Sequence, residues 1–73
     1  MKDIEIDDEF ITLGQLLKLA GAIGTGGEAK FYLAENTPVV NGEEDARRGR
    51  KIRVDDEIEL PQLGKFKIVK SSS

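Results

Sequence analysis

Five of the eight side chains in Ala46-Arg47-Arg48-Gly49-Arg50-Lys51-Ile52-Arg53 are cationic and none is acidic, in a chain whose formal net charge is −3. Taking the +5 of this run away leaves −8 on the other 65 residues, so the run is a local reversal of sign and not a by-product of a basic composition. A planar guanidinium matches two phosphate oxygens with parallel N–H bonds, and an ammonium adds a point charge. Anion binding, and phosphate neutralisation first of all, is therefore the chemistry open to Arg47, Arg48, Arg50, Lys51 and Arg53. The plain alternative is a solvated loop that offsets the adjacent Glu43-Glu44-Asp45. Arg53 is the least secure of the five because it already lies in a strand pattern.

Other candidates gather around this run. Gly26-Gly27 opens a helical segment, where bare backbone lets an anion approach N–H groups at the positive end of the helix dipole; equally, the two glycines serve a tight interhelix turn. Lys18 and Lys30 fall on the polar sides of two helices, as rim contacts to the basic loop or as solubilising charges. Nucleophile–base pairs are missing and there is no histidine or cysteine, so catalysis, zinc sites built on those ligands and disulfides are not expected, and no cofactor or metal is implied. The fourteen Asp and Glu residues are spread over turns and strand faces, as solvated charge. Aromatic residues are few (Phe10, Phe31, Tyr32, Phe66) and Trp is absent, which points to recognition of phosphates and shape rather than to a broad base-stacking surface. Phe31 lies off its helix's apolar stripe, and we expect it to tuck into the core.

These residues need elements to hold them. Ile4 and Ile6 alternate with Asp3, Glu5 and Asp7, the period of a strand with one buried face. Thr12 with Gln15 forms a capping-box pattern, and Leu13, Leu16, Leu17 and Ala20 make an apolar stripe, predicting a helix from about Leu13 to Ala20 that Gly21 ends. Gly14 in its first turn costs about 1 kcal/mol against Ala, so either packing demands bare backbone there or the turn is irregular. Thr25 with Glu28 repeats the capping pattern and predicts a second helix from about Gly26 to Glu35. Val39-Val40 enters an Asn41-Gly42 reversal. The basic run passes into Ile52 and Val54, Asp55-Asp56 turns, Ile58 and Leu60 alternate with Glu57 and Glu59, and Phe66 and Ile68 alternate with Lys65 and Lys67. The expected architecture is α+β, a two-helix pair packed on a small, mostly antiparallel sheet. Antiparallel pairing of the first and last strands would set Asp3 and Glu5 near Lys65 and Lys67 and bring the termini together. Lys70-Ser71-Ser72-Ser73 is expected to fray.

A chain of 73 residues forms one domain with a small core. It has no apolar run able to span a bilayer and no signal-peptide opening, so a cytoplasmic protein without membrane attachment, monomeric, is expected.

Together, Leu16-Leu17-Lys18-Leu19-Ala20-Gly21, Thr25-Gly26-Gly27-Glu28-Ala29-Lys30, Val40-Asn41-Gly42-Glu43, Arg47-Arg48-Gly49-Arg50-Lys51 and Asp56-Glu57-Ile58 resemble the S4 RNA-binding domain. More narrowly, they look like the stand-alone bacterial S4-like proteins of the YaaA type. The resemblance covers roughly Thr12 to Leu60, with N- and C-terminal strands added to that motif in a single domain over residues 1–73. It implies an αL-type fold whose two helices and basic loop form one RNA-facing surface, commonly for structured ribosomal or transfer RNA. It also implies a non-catalytic role, with ribosome assembly or its precursors as the setting. The chain departs from the family where an arginine usually opens the first helix (here Thr12) and a Ser-Arg pair the second (here Thr25-Gly26). Pro38 replaces the usual valine before the Asn-Gly turn, which should put that strand at an edge, and Asp55-Asp56 replaces a Gly-Asp turn. The rival reading from another class is a protein-interaction module that uses its basic loop or a sheet edge.

Overall fold

The computed structural model describes residues 1–71. Ser72 and Ser73, part of the tail expected to fray, lie outside them. The chain runs β1 (Lys2–Ile6), β2 (Phe10–Thr12), α1 (Leu13–Leu19), a 3₁₀ turn (Gly26–Glu28), α2 (Ala29–Glu35), β3 (Val39–Val40), β4 (Glu43–Glu44), β5 (Lys51–Arg53), β6 (Glu57–Leu60) and β7 (Gly64–Lys70). Five strands form one sheet in the order β1-β7-β6-β3-β4, and β2 pairs with β5 in a separate two-stranded sheet. This is the expected α+β arrangement, with a mostly antiparallel sheet. No helix among the described residues is long and apolar enough to cross a membrane.

One core serves all the layers. Leu13, Leu16 and Leu17 from α1, Ile52 from β5, Ile58 and Leu60 from β6 and Ile68 from β7 are fully buried, with Ile4, Ile6, Ile11, Ala29, Leu33, Val40 and Phe66 around them. The alternation in β1, β6 and β7 does what a period of two requires: Ile4, Ile6, Ile58, Leu60, Phe66 and Ile68 point inward while the intervening charges stay outside. The Asn41-Gly42 reversal has φ of 51° and 86°, both positive as the tight hairpin turn between β3 and β4 demands.

Five expectations need correction. The tail is held as far as Ser71: Lys70 stands opposite Ile6 in β7, and Ser71 N–H donates to Ile6 O at 2.9 Å. β1 runs parallel to β7, with Lys2 opposite Phe66 and Ile6 opposite Lys70. Alternation fixes which face of a strand is buried but carries no sign for direction. Asp3 thus stands opposite Lys67 as expected, but Glu5 faces Val69, and the two ends of the chain lie at opposite ends of this strand pair. The second helical segment opens as a 3₁₀ turn, and the Thr25 side chain does not cap the backbone; its hydroxyl donates to Glu28 Oε1 at 3.4 Å instead. β3 lies between β4 and β6, not at an edge. Pro38 is tolerated because it sits just before the strand, where its carbonyl accepts from Asp45 N–H at 3.0 Å. Phe31 is 71% exposed, off the face of α2 that buries Ala29 and Leu33.

Candidate nucleic-acid interface

The loop of residues 45–50 is fastened to the start of α1 through its backbone. Leu13 N–H donates to Arg50 O at 2.8 Å and Gly14 N–H to Arg48 O at 2.9 Å. Gln15 N–H donates to Thr12 Oγ1, and Thr12 N–H to Gln15 Oε1, which completes the predicted capping box. The first donors of this helix, which lack partners inside it, are therefore taken by the chain itself. Gly14 is explained by the same contact. A Cβ there would lie 2.9 Å from Arg48 Cγ and 3.5 Å from Arg48 O, so close approach of the loop requires bare backbone.

Asp45 ties the loop from the other side. Its carboxylate accepts from Arg47 Nε and Nη2 (2.8–3.2 Å), from Arg47 N–H at 2.9 Å and from Arg50 Nη1 at 2.8 Å. The Asp45 side chain is only 8% exposed, whereas that of Arg47 is 75% exposed and that of Arg50 26%. Hydrogen bonds from the Arg47 side chain first, then from its backbone and from Arg50, hold the Asp45 carboxyl well below the usual aspartate range; Asp45 in turn raises the Arg47 guanidinium. The plain reading of the loop, in which its cations offset neighbouring acids, thus applies to Arg47 and Arg50. It does not apply to Arg48, which has no acidic partner among the described residues.

Three contiguous depressions map the sequence candidates. Arg48 and Gly49 meet Thr12, Gly14, Gln15, Lys18 and Gly26 in a groove between α1, the 3₁₀ turn and the loop. On its other side Arg48 shares a hollow with Lys30, Leu33, Ala34 and Ala46. Gly49 also borders a third, lined by Arg47, Arg50, Lys51, Arg53 and Asp56. Arg48 is thus the hinge that brings Lys18, Gly26 and Lys30 together, while Arg47, Arg50, Lys51 and Arg53 line the adjoining patch. Gly27 lies in none of these three depressions.

The sequence reading missed β2, and with it Phe10. In the β2–β5 pair Ile11 faces Ile52 inward, which puts Phe10 opposite Arg53 and Thr12 opposite Lys51 on the outer side. Phe10 is 36% exposed, with Lys51 Nζ at 5.0 Å and Arg53 Cζ at 5.8 Å from its ring centroid. The strand-favouring types of Phe10, Ile11 and Thr12 were the available signal, but the run is three residues long and abuts the acidic break at Asp7-Asp8-Glu9.

The family model described as S4 domain matches residues 4–69. A protein of Bacillus subtilis (strain 168) named "Probable ribosome maturation protein RlbA" is 53% identical over 66 residues, which cover 90% of this chain and 93% of that protein. By the match over residues 4–69 and this identity along nearly the whole of both chains, the chain belongs to the S4 domain family.

Proposed function

We propose that this chain binds structured RNA without catalysing a reaction, and that it acts in ribosome maturation on ribosomal RNA or, failing that, on transfer RNA. The observation that carries the reading is Arg48. Its main chain is pinned to the first turn of α1, its side chain has no acidic partner among the described residues, and it stands between Lys18 and Lys30. Such an arrangement holds cations at fixed spacing against a backbone of phosphates, the contact that supplies affinity and register in nucleic-acid binding. Lys51 and Arg53 extend the same face, and Arg47 adds an exposed guanidinium. Gly26 lines the groove, where bare backbone allows close approach; Gly27 follows it in the same 3₁₀ turn. The relationship to a ribosome maturation protein supports the setting.

The test is competition between a folded RNA and a single-stranded DNA of equal length. With few aromatics and many cations, recognition rests on backbone geometry and the 2′-hydroxyl, so the folded RNA should bind more tightly. Equal affinity would reduce the face to a generic polyanion site, and no binding to either would move the protein-interaction reading ahead.

A further inference from the structure

We propose that the outer side of the β2–β5 pair is a subsite for one unpaired nucleotide, with the base stacked on Phe10 and the adjoining phosphate held by Lys51 and Arg53. The inference rests on the RNA-binding reading and adds to it a residue that recognises a base. Phe10 sits directly opposite Arg53 in register, one residue from the buried Ile11–Ile52 pair that fixes the strands. Its ring is partly exposed and has two cations within 6 Å of its centroid, and both cations also line the basic depression with Arg47, Gly49 and Arg50. The charged heads of Lys51 and Arg53 lie over the ring itself, so a base that stacks there takes the place of a cation, which turns to the phosphate of the same nucleotide. A π face beside a phosphate-binding patch accepts a base whatever its identity.

Phe31 provides the internal contrast. It is the more exposed ring, at 71%, but it shares its groove with Glu28 and Glu35, and two carboxylates beside a ring repel the phosphate that must accompany a base. An exposed phenylalanine alone therefore does not make the subsite; the neighbouring charge does.

The experiment uses three versions of one RNA hairpin: fully paired, with a single bulged adenosine, and with an abasic residue at the bulge. The wild-type chain should bind the adenosine bulge roughly 5- to 100-fold more tightly than the abasic one, the range for loss of one stacked base. Phe10→Leu, which keeps an apolar side chain at this position, should erase that difference while leaving affinity for the paired hairpin unchanged. Phe10→Trp should retain it, and Phe31→Leu should leave all three affinities as they were. If the wild type binds the three hairpins alike, or Phe10→Leu weakens all of them equally, the subsite is wrong while RNA binding stands. If no hairpin binds at all, the RNA reading fails and the subsite with it.

Discussion

The chain places lysines and arginines on two surfaces, and only their surroundings tell them apart. On the outer side of the five-stranded sheet, Lys65 and Lys67 stand opposite Glu59 and Glu57, and Lys67 also faces Asp3 across β1. Opposite charges in register offset one another, so that surface is a mixed, solvated face. Around the loop the sequence offers the same residue types, yet one carboxylate, Asp45, serves both Arg47 and Arg50. Arg48 is left to the groove between Lys18 and Lys30. Counting cations does not locate a site. What separates the two surfaces is that the loop leaves one cation, Arg48, beside Lys18 and Lys30 with no carboxylate partner among the described residues.

The largest expected disturbance of this contrast comes from removing the anchor. Asp45→Ala deprives the half-buried Arg50 and the backbone of the loop of their common acceptor, and should cost about 1–2 kcal/mol of stability, read in urea unfolding. It should also lower RNA affinity despite adding a net positive charge, because the cations lose their fixed spacing; stronger binding would show that charge alone suffices. Acid provides a second readout of the same anchor. The folded carboxyl titrates below its unfolded value, so protons bind the unfolded state more readily and the stabilisation is complete above about pH 5. It is lost as pH falls further, and the Asp45→Ala protein should lack that portion of the pH dependence.

A smaller effect is expected at Gly14. Alanine there gains about 1 kcal/mol of helix propensity while forcing Arg48 Cγ outward from a 2.9 Å approach. Stability should change little because the two contributions oppose each other, but RNA affinity should fall several-fold in a binding titration. Unchanged affinity would mean that the seat of Arg48 on α1 does not matter.

These contacts also show where the sequence was informative. The inward residues of β1, β6 and β7, the Thr12–Gln15 cap and the Asn41-Gly42 turn were legible because each depends on neighbours in the chain. The parallel direction of β1 was not, since Ile4 and Ile6 alternate identically either way. The reason for Gly14 was only half legible: packing was one of two readings, and the partner, Arg48, lies 34 positions further on. The division within the basic run was hidden as well. Nothing in the spacing of Arg47, Arg48 and Arg50 says that Asp45 holds the first and third and leaves the second to the groove. Phe10 was missed because a three-residue strand gains its meaning only from pairing with β5.

The smallest expected effect belongs to Lys65→Ala with Lys67→Ala. These are surface changes on the sheet, so stability should move by no more than about 0.5 kcal/mol, with RNA affinity unaltered.

That pair is the control for the measurement that bears most directly on the loop as the RNA site, the dependence of affinity on salt. With Lys18, Lys30, Arg48, Lys51 and Arg53, the cations that Asp45 does not hold, each neutralising a phosphate, log K for a folded RNA should fall against log salt with a slope of about −3.5 to −4.5. Replacing Arg48 and Lys51 by Ala should flatten it by about 1.4–1.8 and weaken every RNA alike, because phosphate contacts carry no base information. The sheet double variant should keep the wild-type slope. If both double variants flatten the slope equally, binding is diffuse attraction to the whole molecule and the loop is not the site.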